Sequence, residues 1–141
     1  MNDLTKYGHK EEWSRRGKNF TMQIVRWETM SEESFNKMNL DIGTYTGRYV
    51  WNVYFYLFPK HRLFAETIED DMNDCPVNNL HYGCTFSRWH YNEDGEITAK
   101  QYGCDYNHYT DERFSFIKNI EDAYEIFNDA EDLFNELEGE K

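Results

Sequence analysis

Polar and apolar positions alternate over Phe20–Trp27, where Phe20, Met22 and Ile24 share one face and the pair Ile24-Val25 adds strand propensity. The strongest strand pattern is Tyr45–Phe58. Tyr49, Trp51, Val53, Phe55 and Leu57 form one face; Val50, Asn52, Tyr54, Tyr56 and Phe58 form the other. Both faces are largely apolar or aromatic, so this strand is expected to be central and covered on both sides. Pro59 ends it, lacking a ladder N–H. Leu80–Tyr91 and Glu96–Tyr106 flank Asn92-Glu93-Asp94-Gly95, which predicts a hairpin. The period then changes. Ile117, Ile120, Tyr124, Phe127, Ala130, Phe134 and Leu137 recur at spacings of three and four, one stripe of an amphipathic helix that Asn119 can cap. Glu136, Glu138 and Glu140 oppose the dipole at its end and predict fraying there.

Ser31 is placed to cap a short helix over 32–39, with Met30 and Phe35 as its staple. Residues 1–18 are polar, with a basic cluster at Arg15, Arg16 and Lys18, and read as an arm or loop. Residues 60–79 read as a loop with one helical turn. The expected architecture is α+β, an antiparallel sheet with a long C-terminal amphipathic helix packed across it. It forms a single domain over 1–141, with an N-terminal arm at 1–18 and an acidic C-terminal helix at 119–141.

Aromatic residues make up 18% of the 141-residue chain, which excludes a disordered polymer and indicates a core built from rings. The net charge is −12. Residues 119–141 hold nine carboxylates against one Lys, a charge of −8, leaving −4 for residues 1–118. Such a field disfavours duplex nucleic acid and anionic membranes as partners. No apolar run is long enough to span a bilayer, and the N-terminus lacks the apolar core of a secretory signal. Cys75, Cys84 and Cys104 are an odd set without a CxxC pair, so free thiols and a cytoplasmic location are expected.

Candidate chemistry gathers in two segments, His81-Tyr82-Gly83-Cys84-Thr85-Phe86-Ser87 and Gly103-Cys104-Asp105-Tyr106-Asn107-His108-Tyr109-Thr110-Asp111. Counting back from the hairpin turn sets His81 opposite Tyr106, so His81, Asp105, His108 and Asp111 are expected to converge at one sheet edge. Those groups suit a polar ligand pocket, or a zinc or manganese site, or a buried polar turn. Gly83 and Gly103, read as lying inside strands, point to close approach or bulges. Beyond the central strand, His61 and Arg62 are placed to meet an anion, and a buried Asn52 needs an amide partner. Arg113 can pair with Asp111 or reach a phosphate. The acidic helix is either a solvated face or a decoy for the phosphates of DNA. Cys84 and Cys104 lack a nucleophile elbow and read as small core residues.

Trp51, Tyr54, Pro59 and His61, then His81, Gly83, Thr85 and Ser87, then Gly103, Asp105, His108 and Asp111 resemble the pattern of a family of small phage and prophage proteins. The likeness covers roughly residues 47–137. Tyr82, Cys104 and Arg62 depart from it, standing where that pattern has Gly, Phe and Pro. The family resembles the phage anti-Thoeris sponges, which hold cyclic ADP-ribose-type immune signals as homo-oligomers without cleaving them. The resemblance implies a homo-oligomeric anti-defence protein of the host-cell cytoplasm that sequesters a cyclic nucleotide or ADP-ribose-type ligand, with no cofactor. With Asn52, Arg62 and Arg113 added from the residue pattern itself, the expected ligand contacts are Trp51, Asn52, His61, Arg62, His81, Gly83, Thr85, Asp105, His108, Asp111 and Arg113, with no catalytic residue. Two other functions fit the residues: an acidic inhibitor seated in a basic groove of a nuclease or CRISPR effector, and a metal-dependent hydrolase built on the His/Asp cluster.

Overall fold

A computed structural model describes residues 10–29, 36–37, 48–64, 75–77, 80–107 and 109–139. Five strands form one antiparallel sheet: β1 (Lys10–Gly17), β2 (Phe20–Glu28), β3 (Tyr49–Leu57), β4 (Phe86–Tyr91) and β5 (Ile97–Asp105), in the order β1-β2-β3-β5-β4. A 3-10 helix (Tyr109–Phe116) and the helix α1 (Tyr124–Glu138) follow. The fold is α+β, with α1 laid across one face of the sheet. No helix among the described residues is long and apolar enough to cross a membrane. The helix expected over 32–39 lies outside the described residues apart from Asn36 and Lys37, which are helical.

β3 is central, as its sequence predicts, but its two faces differ. Tyr49, Trp51, Val53, Phe55 and Leu57 are buried, whereas Asn52, Tyr54 and Tyr56 are only half-buried. The alternation sends every second side chain to the helix-covered face, and register carries it across the sheet. Phe20, Met22 and Ile24 pair with Leu57, Phe55 and Val53, and these pair with Lys100, Tyr102 and Cys104 on β5. The other face stays open. It holds pairs of rings at contact distance, Tyr54 with Phe86 and Tyr56 with His90. Lys100 occupies a covered-face position with no exposure, its ammonium 4.1 Å from the Trp89 ring centre and 5.4 Å from that of Tyr102.

Three expectations are corrected. The polar segment expected as an arm is the edge strand β1 from Lys10 onward; its Trp13 stacks on Trp51 at 5.7 Å between ring centres. A strand can be polar when it lies at an edge and contributes one large ring to the core. The hairpin closes on Asn92 and Glu96, whose N–H and C=O bond at 2.9 Å, which shifts the register by one from the simple count, and an irregularity at His90/Tyr91 shifts it by one more. Phe86 therefore faces Gly103, and β4 starts at Phe86, leaving Gly83 in a turn. Gly103 does mark a close approach, since a Cβ there would lie 2.3 Å from the Tyr54 ring.

The third correction concerns α1. It begins at Tyr124, and Ala123, not Asn119, is its N-cap. Its buried stripe is Ile126, Ala130, Leu133, Phe134 and Leu137, while Tyr124 and Ile120 are exposed. Residues 117–119 are irregular and 120–123 are turn, so the helical period cannot be extended backward through them. This rotation is testable. Leu133→Ala should cost about 3 kcal/mol and Tyr124→Ala under about 0.5 kcal/mol in denaturant unfolding. Equal losses would place the stripe where the sequence period had put it.

Candidate functional site

The end of β5 distributes its side chains to both faces. Cys104 and Tyr106 turn toward the covered side, where Tyr106 stacks on His81 with ring centres 4.1 Å apart and planes 11° off parallel. His81 sits in the turn closed by the Gly83 N–H to Leu80 carbonyl bond. Its Nε2 meets both oxygens of the buried Asp111, at 2.7 and 2.8 Å. The first turns of the 3-10 helix bring Asp111 there, and Phe114 closes the cluster edge-on to both rings. Tyr106 donates its hydroxyl to Asp129 of α1 at 2.7 Å; burial, followed by that bond, raises its pKa, so it remains a neutral donor. His81 and Asp111 therefore meet as expected.

Asp105 falls on the other face. It lies beside Asn52 in register, accepts the Thr85 hydroxyl at 3.3 Å and accepts the Asn107 N–H at 3.1 Å. Asn52 donates its amide to the Cys104 carbonyl at 3.4 Å. One row along, Tyr54 and Phe86 face each other across Gly103, ring centres 5.5 Å apart. Burial is the largest cause raising the Tyr54 hydroxyl pKa, with Tyr56 and Asp105 adding to it. Asn52, Tyr54, Thr85, Phe86 and Asp105 thus form a corner of the open face in which rings adjoin a carboxylate, a hydroxyl and an amide. The expected four-residue pocket divides because adjacent positions of a strand point to opposite faces. His108 lies outside the described residues.

The other expected ligand contacts have structural partners. Trp51 is fully buried and donates its indole N–H to the Ile117 carbonyl at 3.1 Å. Arg113 is exposed and pairs with Glu125 at 2.7 Å rather than with Asp111. His61 and Arg62 hold the end of α1. His61 Nδ1 accepts the Leu63 N–H at 3.1 Å, which leaves Nε2–H to donate to the Leu137 carbonyl at 2.7 Å. Arg62 donates to the Glu136 carbonyl at 2.6 Å, and Gly139 ends the helix in the left-handed conformation. The frayed terminus expected from the acidic sequence is thus a capped one, its donors drawn from the segment after β3. A cavity of about 270 Å³ lies beside it, lined by Lys18, Asn19, Lys60, His61, Arg62, Leu137 and Glu138.

Part of the acidic helix face is engaged within the chain. Glu125 pairs with Arg113, Glu131 with Arg15 at 2.8 Å, Asp129 takes the Tyr106 hydroxyl, and Glu138 accepts the Lys18 N–H. A second ionic group escaped the sequence reading. Buried Arg26 bonds Glu11 at 2.9 Å and the Lys118 carbonyl, buried Glu28 bonds Arg48 at 3.0 Å, and both guanidinium groups lie over Tyr49. The available signal was Arg26 itself, a charge on the same strand face as Phe20, Met22 and Ile24.

Burial pushes the Cys104 thiol up to about 12, far from a thiolate at neutral pH. Cys84 points its thiol at the Phe86 carbonyl. Among the described residues, no three His, Cys, Asp or Glu side chains group as metal ligands. No protein-family model, curated protein or solved structure matches this chain.

His61 makes the α1 cap sensitive to pH. Burial, its largest influence, lowers its pKa from 6.5, with the Leu137 carbonyl opposing and the Arg62 charge adding to the shift. The unfolded chain then takes up that proton before the folded one does. The cap's contribution is complete above pH 6.5 and falls as pH drops below it, toward the lowered folded value. His61→Gln, a neutral donor, should cost about 1 kcal/mol at pH 8 and flatten the decline below pH 6.5 in thermal unfolding. A variant whose acid decline matches the parent's would show that His61 does not carry it.

Proposed function

We propose that the protein binds a small nucleotide-type ligand and retains it without altering it, at the corner formed by Asn52, Tyr54, Thr85, Phe86 and Asp105. The observation that carries this reading is the edge-to-face meeting of two rings, Tyr54 and Phe86, with the carboxylate of Asp105 beside them. Aromatic rings pack against the apolar faces of a nucleotide's base or sugar, while a carboxylate accepts from ribose hydroxyls and an amide donates to them. Retention without chemistry is supported by the raised thiol of Cys104, which stays far from a thiolate at neutral pH.

In this reading the protein is a phage anti-defence sponge, and its cargo is a cyclic nucleotide or an ADP-ribose-type signal. The setting rests on the resemblance of the His81–Ser87 and Gly103–Asp111 segments. The acidic-inhibitor reading draws less support, because Glu125, Asp129, Glu131 and Glu138 are already engaged within the chain.

The test is to incubate the protein with cyclic ADP-ribose isomers and cyclic dinucleotides, remove free ligand, denature by heat and identify what is released. Intact ligand in stoichiometric amount is expected. Asp105→Ala should weaken binding by about 1–3 kcal/mol with little change in fold, read by calorimetric titration. No release of any tested nucleotide would overturn the proposal, and release of a cleaved product would make the protein an enzyme.

A further inference from the structure

Tyr82 has a backbone that L side chains rarely adopt. Its φ is +55°, and Gly83 after it has φ +84°. Two successive left-handed residues reverse the chain between Leu80 and Thr85. Glycine takes that conformation freely, Asn and Asp tolerate it, and a bulky aromatic residue is strained there. The usual compensation is burial of the ring, yet Tyr82 is 63% exposed, the most exposed among the large exposed rings and aliphatics of the described chain. Its ring meets His81 edge-on at 4.6 Å. His81 is itself held by Asp111 from one side and by the parallel Tyr106 ring from another, so Tyr82 projects from a rigid base. On the next residue, nothing lies within 4 Å of where a Gly83 Cβ would stand. An exposed ring on a strained backbone, beside open space and above a fixed imidazole, is poorly explained by stability. Strained residues of this kind gather at sites of recognition.

We infer that Tyr82 is a stacking platform for the planar heteroaromatic base of the bound nucleotide, the strain being tolerated because it keeps the ring clear of the core. This rests on the proposed nucleotide-binding function and extends it, adding a base subsite to the Asp105 corner. The two are within one ligand's reach. Thr85, which bonds Asp105, is three residues from Tyr82, a span of at most about 10–11 Å. The base lies against Tyr82 and the ribose hydroxyls meet Asp105 and Thr85. Tyr82→Phe keeps the platform, while Tyr82→Gly and Tyr82→Asn remove it and relieve the backbone.

The experiment compares the parent with Tyr82→Phe, Tyr82→Gly and Tyr82→Asn by thermal unfolding and by titration with two probes, ADP-ribose and ribose 5-phosphate. The second probe has no base. Tyr82→Gly should raise the melting temperature by about 3 °C yet weaken ADP-ribose binding about tenfold, with ribose 5-phosphate binding unchanged. Tyr82→Asn should show the same split and guards against an effect peculiar to glycine, and Tyr82→Phe should match the parent for both probes. ADP-ribose bound as tightly by Tyr82→Gly and Tyr82→Asn as by the parent would overturn the inference while leaving the nucleotide reading intact. Equal weakening toward both probes would overturn it too, making Tyr82 a positioning residue. A parent that binds neither probe would overturn the platform as an ADP-ribose-type base subsite, and the nucleotide reading would fall with it if the cyclic ADP-ribose isomers and cyclic dinucleotides also failed to bind.

Discussion

The register of β3 is the constraint on which the rest depends. The strand is hydrogen-bonded on both sides, to β2 and to β5, and its side chains alternate between a buried row and a half-buried one. A slip of one residue would drive Asn52, Tyr54 and Tyr56 under α1 and expose Trp51, Val53 and Phe55. Because β3 pairs along nearly its whole length, its parity also sets that of Cys104 and Asp105, and of Arg26 and Trp27. The core, the ionic group around Arg26 and the aromatic corner on the open face therefore share one origin.

The helix answers to a different force. Its apolar stripe, Ile126 through Leu137, supplies the attraction to the sheet, while its carboxylates and the partial negative charge of its last carbonyls oppose any crowding at its end. No basic residue lies in its final turn. Cations and donors arrive from elsewhere in the chain: Arg15 from β1, Arg113 from the 3-10 helix, and His61 and Arg62 from the segment after β3. Arg15 is the economical case, since it meets Glu131 and also lies 3.7 Å from the centre of the Phe134 ring. The pairs are largely exposed and individually weak, so their effect is to orient the helix more than to bind it.

Much of this architecture could be read from residues alone, because period-2 and period-3.6 patterns are properties of single segments. β2, β3 and the hairpin strands follow from alternation and from Asp94-Gly95, and the existence of α1 follows from its spacing. What escaped depends on other segments. β1 reads as a polar arm until β2 is there to pair with it. His61 and Arg62 look like an anion site, since nothing local says that helix carbonyls end beside them. The candidate site was half visible. His81 and Asp111 do meet, but Asp105 was assigned to the same cluster although strand parity sends it to the other face. Tyr82 carried a single mark, its place where the resembled pattern has Gly, since a left-handed backbone under a tyrosine has no signature in composition.

The missing side chain at Gly103 has a consequence for how this surface can change over generations. Tyr54 occupies the volume that any larger residue at 103 would need, so its inclination, and with it the spacing to Phe86, is set by the emptiness beneath it. The backbone carbonyl of Val53, 3.1 Å from the same point, cannot yield as the ring can. A single-atom addition at position 103 would therefore displace the Tyr54 ring and press on the β3 backbone at once. Variation there cannot alter what the open face grips without straining the central strand, so selection on cargo and selection on stability act on this position together.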